Sequence, residues 1–246
     1  MRKFLLLIIL FTTLYTVSAQ TPPAGTFTRT TTRTYTLDET TVVKDSIGRI
    51  LPYAEWQKLF QSGNYNLKME NNQDENSAHV IYEMSPAEKE ARMLRMPPPR
   101  ESGFFVNGEK IASFKASDMT GKKVQLKDLI GKVVVLNFWF INCPPCRKEI
   151  PELNKLVAQY ADNPDVVFVA IALDERYDLK KFLKDNPFNY RIVDDGRYYA
   201  NQYNLNLYPT NVVVDRTGVV KFNASGYALN TPWWIKKSID ESLAAK

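Results

Sequence analysis

The spacing of apolar positions divides the chain into a sharply patterned C-terminal part and a weakly patterned N-terminal one. Lys132 to Phe140 is a run rich in Val, Leu, Phe and Trp, unbroken by glycine or proline. Such a run fits a strand buried on both faces. Ile150, Leu153, Leu156, Val157 and Tyr160 then recur at helical spacing. Val166 to Leu173 reads as a second buried strand, Leu179 to Lys184 as the start of a helix, and Tyr198 to Tyr203 as another. Asn211 to Asp215 and Val219 to Asn223 flank Arg216-Thr217-Gly218 and read as an antiparallel hairpin, before a closing helix over 232–245. Before these, Gly121 to Leu129 reads as a hairpin strand running into a short helical turn. Strand–helix–strand followed by hairpin–helix implies an α/β fold with a central mixed sheet flanked by helices.

Residues 20–96 read as a small α+β accessory region without a chemistry-bearing motif. Thr26 to Thr36 is threonine-rich and favours an extended strand. Tyr53 to Gln61 reads as a short helix with Trp56, Leu59 and Phe60 on one face, ended by Gly63. Tyr65 to Met69 and His79 to Met84 read as strands. Ser85-Pro86-Ala87-Glu88 combines a cap, a first-turn proline and a reciprocal glutamate. The helix it starts should stop before Pro97-Pro98-Pro99, within a stiff linker over 97–103. The last domain then covers 104–246.

Composition narrows the chemistry. The 246 residues are 44% hydrophobic and 24% charged, with a formal charge of +5. The basic residues come as scattered pairs with acidic neighbours, which fits a solvated mixed surface and no nucleic-acid partner. His79 is the single histidine, which excludes a two-histidine metal site and disfavours a Ser–His–Asp hydrolase. Met1-Arg2-Lys3, an apolar stretch from Phe4 to Val17 and Val17-Ser18-Ala19 together predict a cleaved secretory signal over 1–19. The apolar stretch falls short of the ~20 residues a membrane-spanning helix needs, so a retained anchor is the lesser alternative. The expected location is the bacterial periplasm or envelope, where disulfides persist.

The chain has two cysteines, Cys143 and Cys146, in Trp139-Phe140-Ile141-Asn142-Cys143-Pro144-Pro145-Cys146. A disulfide between them closes too small a loop to stabilise a fold of this size, so the pair points to chemistry. Cys143 falls where strand passes into helix, a place whose free N–H groups and dipole lower a thiol's pKa. Cys146 lies three residues on, over the same face. Cys143 is the candidate nucleophile and Cys146 the residue that resolves the mixed disulfide. Trp139 and Phe140 fit core packing as well as substrate contact.

Trp139-Phe140-x-x-Cys143-x-Pro145-Cys146, followed by Glu149 and Pro151, resembles the thioredoxin fold, specifically the TlpA/ResA-like thiol–disulfide oxidoreductases of the bacterial envelope. The resemblance covers about 104–246 and includes Tyr208-Pro209-Thr210 and the Asp215-Arg216-Thr217-Gly218 hairpin. It implies a cis proline at Pro209 opposite the cysteines, with Tyr208 offering main-chain hydrogen bonds to an extended substrate. Trp139, Pro144, Pro145, Tyr208, Pro209 and Thr210 become the candidate substrate-binding residues. It also assigns Glu149, one turn beyond Cys146, as the proton acceptor for the resolving thiol. Two features depart from relatives: Asn137 stands where thioredoxin has a buried aspartate, and Pro144 where many relatives carry Gly or Glu.

The resemblance favours reduction of envelope-protein disulfides, apocytochrome in cytochrome c maturation among them, with electrons from a membrane donor. No cofactor beyond the Cys143–Cys146 redox disulfide and no metal is expected. An oxidase or isomerase role and a copper chaperone on the same fold are the alternatives. Peroxide reduction is disfavoured, because the positions three and seven before Cys143 hold Phe140 and Leu136 instead of Thr or Ser and Pro.

Overall fold

The computed structural model describes residues 37–74 and 77–245. The expected signal over 1–19 and the Thr26 to Thr36 strand lie outside them. The described residues form two compact units: residues up to Phe60 with Leu67–Ile81, and Gln61–Asn66 with Tyr82 onward. Among the described residues, no helix is long and apolar enough to cross a membrane.

Ahead of Ser85 lie strands β1 (Val43–Lys44) and β2 (Ile50–Leu51), helix α1 (Tyr53–Gln61), and strands β3 (Tyr65–Met69) and β4 (His79–Glu83). The sheet order is β2-β1-β4-β3. Trp56 buries the apolar face of α1, and Gly63 takes φ +77° just past its end, a conformation glycine adopts without a Cβ penalty.

β4 is followed by α2 (Pro86–Arg95), whose capping box is complete. The Ser85 hydroxyl accepts from the Glu88 N–H at 3.3 Å, and the Ser85 N–H donates to Glu88 Oε2 at 2.8 Å. A two-stranded ribbon, β5 (Lys115–Ser117) with β6 (Lys123–Gln125), leads into a 3-10 turn over Leu126–Leu129. Then follow β7 (Val133–Trp139), α3 (Pro144–Gln159), β8 (Val166–Ala172), α4 (Arg176–Asp185), β9 (Arg191–Val193), α5 (Arg197–Gln202), β10 (Thr210–Val214), β11 (Val220–Ser225) and α6 (Thr231–Ala244). The central sheet runs β11-β10-β7-β8-β9. β7, β8 and β9 are parallel neighbours, and β10 and β11 run antiparallel.

Every residue of β7 is buried, so its side chains feed two cores by strand alternation. Val133, Val135 and Trp139 pack with α3 and α6, through Leu153, Leu156, Ile235 and Ile239. Val134, Leu136 and Phe138 pack on the opposite face with Phe105, Val124 and Tyr203. Asn137 falls on the α3 face by the same alternation. Across the ladder, Asn211 of β10 is its direct partner. That register delivers two amide side chains to one point beneath the start of α3.

Candidate active site

β7 ends at Trp139, and the chain crosses to α3 in four residues, Phe140 to Cys143. Asp174, just past β8, pins this crossing: its Oδ2 accepts from the Ile141 N–H at 2.8 Å. Cys143 is the N-cap of α3, and its Sγ accepts from the Cys146 N–H at 3.2 Å. Pro144 and Pro145 occupy the first two helical positions and carry no N–H. An N-cap acceptor normally draws on the donors of the second or third position. With proline at the second, Cys146 alone supplies one. Cys143 and Cys146 form a disulfide with Cα atoms 5.3 Å apart. Both sulfurs are shielded in this oxidised form, with Cys143 2% and Cys146 1% exposed.

Glu149 lies one turn further along α3, is 1% exposed, and points at the amide pair. Asn137 Nδ2 donates to Glu149 Oε1 at 2.8 Å and to Asn211 Oδ1 at 2.9 Å. Asn211 Nδ2 donates to both carboxylate oxygens, at 3.2 and 3.3 Å. Burial pushes the Glu149 carboxyl up to about 7, while the Asn211 and Asn137 donors pull it down.

The Tyr208–Pro209 peptide is cis. Tyr208 is half-buried; its ring meets Phe140 edge-on at 5.5 Å and its hydroxyl donates to Leu205 O. Pro144 is exposed and Pro145 half-buried. Exposed Arg147 and Lys148 put positive charge on the first turns of α3, the former over the Phe182 ring and the latter over Tyr227.

Two of the expected substrate-binding residues are buried in this oxidised form. Trp139 has no exposed surface; it packs against Phe182 and Phe188. Strand alternation turns it into the α3 core, away from any docking surface. Thr210 is equally buried, its hydroxyl bonded to Leu207 O and paired with Ser225 Oγ. Asn211 and Asp174 were absent from the sequence-based site. The available signal for Asn211 was an amide inside an apolar strand two residues past Pro209; Asp174 offered none.

Residues 107–223 match the AhpC/TSA family. The chain is 36% identical over 126 residues to the thiol–disulfide oxidoreductase ResA of Bacillus cereus, covering 48% of this chain and 72% of that protein. The chain belongs to the ResA-like thiol–disulfide oxidoreductases. Among solved structures it is similar to one described as a thiol:disulfide interchange protein DsbE from Chlorobium tepidum, with TM-score 0.52 and 30% identity over 57% of this chain and 99% of that one. It is also similar to one described as a protein disulfide isomerase from Bacteroides thetaiotaomicron, with TM-score 0.53 and 27% identity over 59% and 95%. The ResA-like fold thus places the cysteine pair in a thioredoxin-like α/β unit and makes the chain a protein-disulfide oxidoreductase.

Proposed function

We propose that this oxidoreductase is exported and reduces disulfides of envelope proteins, with Cys143 as nucleophile, Cys146 as resolving thiol and Glu149 as proton acceptor. The observation that carries the reading is the buried carboxyl of Glu149 one helical turn from Cys146, at a protonation midpoint near neutrality. A base poised near the working pH takes and returns a proton with least cost.

In the reaction, the Cys143 thiolate attacks one sulfur of a substrate disulfide, and the other substrate sulfur leaves as a thiolate. The Cys146 thiol passes its proton to Glu149 and its sulfur attacks Cys143 Sγ. The Cys143–Cys146 disulfide forms, and the second substrate sulfur leaves as a thiolate that takes up a proton. Substrate is reduced by two electrons and the enzyme is oxidised by two. An external dithiol donor, for which a membrane protein is the natural candidate, returns the pair to the reduced state.

The reducing direction is supported by the helix start. Oxidants of this fold draw their power from a strongly stabilised reduced form. Here prolines remove the first two N–H groups of α3; in the oxidised form the Cys146 N–H is the cap donor that reaches Cys143 Sγ, and a Cys143 thiolate would have one such donor in place of two. Half-buried Tyr208 and Pro145 and exposed Pro144 supply the surface against which an extended substrate would lie.

The test is to trap partners on Cys143 in a Cys146→Ala variant and to measure the reduction potential of the pair. A potential near about −300 mV with envelope proteins trapped supports the reading, and one near about −120 mV would make the protein an oxidant. Alkylation of the reduced protein gives a separate check. Cys143 should react before Cys146; if it stays shielded when reduced, its role as nucleophile is lost.

A further inference from the structure

The geometry points to Asn211 as a positioning residue for Glu149: it holds the carboxylate by both oxygens and, with Asn137, keeps it in the ionised form that accepts the proton. This rests on the proton-acceptor reading above and extends it to a residue on a different strand.

Three observations support it. First, the Asn211 amide nitrogen reaches Oε1 and Oε2 at 3.2 and 3.3 Å, whereas Asn137 reaches Oε1 alone, at 2.8 Å. Asn211 is thus the donor that meets the second oxygen and fixes the carboxylate plane. Second, Asn137 and Asn211 face each other directly across the β7–β10 ladder and are joined by their own hydrogen bond at 2.9 Å. Each amide restrains the other, so neither is free to turn its oxygen toward the carboxylate. Third, Asn211 is 0% exposed, and a buried amide whose donors were left unpaired carries the full cost of its lost hydration, so the contact is strongly preferred.

The chemistry follows from what an amide can do. It carries no charge and does not titrate near neutrality, so it favours a carboxylate without taking its proton. Burial pulls the opposite way, and the balance leaves a base able to change state during turnover. Among the described residues, the ionisable groups that feel the Glu149 charge include Tyr190 ahead of β9 and Tyr227 beyond β11, while Cys146 lies one turn back on α3 itself. Both tyrosine hydroxyls are held above their ordinary range, chiefly by burial, and stay neutral at the pH of interest. The neutral amides are therefore what keeps Glu149 ionisable. Asn211 lies two residues after Pro209, so one short segment joins the proton site to the expected substrate-binding proline.

The experiment uses the reduced full-length chain and oxidised glutathione as the probe disulfide. The rate of Cys143–Cys146 closure is followed from pH 5 to 9 in the wild type, Asn211→Leu, Asn211→Ser and Glu149→Gln. Glu149→Gln should abolish the rising limb near pH 7. Asn211→Leu, which removes both N–H contacts, should move the limb about one pH unit to the alkaline side, making closure roughly tenfold slower at pH 6 with an unchanged plateau at high pH. Should the leucine variant fail to fold, the serine variant, whose hydroxyl is too short to reach both oxygens, reads the same shift. A limb that stays in place in the Asn211 variants, or a uniform loss at every pH, would overturn the positioning role while leaving Glu149 as the acceptor. A limb that survives in Glu149→Gln would remove both.

Discussion

Asn137 donates its amide to Glu149 at 2.8 Å, from the middle of β7 to the second turn of α3. Where a carboxylate would bring a second negative charge, this chain has a neutral donor. On the proposed mechanism, acid–base work falls to one buried carboxyl on the helix, and the strand beneath it orients that group.

The raised Glu149 pKa has a consequence for stability. Its folded-state value of about 7 lies above the ordinary 4.5, so between these values the folded state binds more protons than the unfolded one. Stability is therefore fully present below about pH 4.5 and is lost as pH rises through 7. That difference amounts to about 3 kcal/mol at most. Urea unfolding of the oxidised protein should show stability falling from pH 5 to 8, and Glu149→Gln should lack that slope.

Trp139 should behave as a core residue. Trp139→Ala is expected to cost about 3–5 kcal/mol by leaving a cavity between α3, Phe182 and Phe188. Trp139→Phe should cost less and leave KM for a probe disulfide unchanged. A rise in KM with little loss of stability would return Trp139 to the substrate surface.

Asp174 holds the crossing that aims Cys143. Asp174→Ala should cost about 1–2 kcal/mol, the loss of a hydrogen bond to a charged acceptor. Exchange with oxidised glutathione should slow several-fold, since the Ile141 N–H loses its anchor. Asp174→Asn keeps an acceptor oxygen and should recover most of the rate.

Gly196, between β9 and α5, has no space for a side chain. A Cβ there would lie 2.5 Å from Ile171 Cγ2 and 2.7 Å from the Ala172 carbonyl oxygen. The Gly196 N–H also donates to that carbonyl at 2.7 Å, so the backbone cannot retreat without breaking the bond. Gly196→Ala should destabilise by about 2–3 kcal/mol, read as a lower urea midpoint.

Much of the fold was legible where a local signal was long enough. The expected run Lys132 to Phe140 became β7 over Val133–Trp139, and Val166 to Leu173 became β8 over Val166–Ala172. Ser85 and Glu88 announced α2 because a capping box is made by residues only three apart. By contrast β1, β2, β5 and β9 span two or three residues, too few to show an alternation. They exist because a neighbouring strand supplies their hydrogen bonds: β9 pairs with β8, and β5 with β6.

The amino-acid order alone determined the cysteine spacing, the prolines that strip N–H groups from the start of α3, and the strand alternation that puts Asn137 and Trp139 on one face of β7. Those are properties of residues within a few positions of one another. Only the tertiary structure decided that Asn211, 74 residues from Asn137 and 62 from Glu149, would complete the carboxylate's hydrogen bonds, and that Trp139 would face the core. The physical reason is that strand register and burial are set by packing between distant segments.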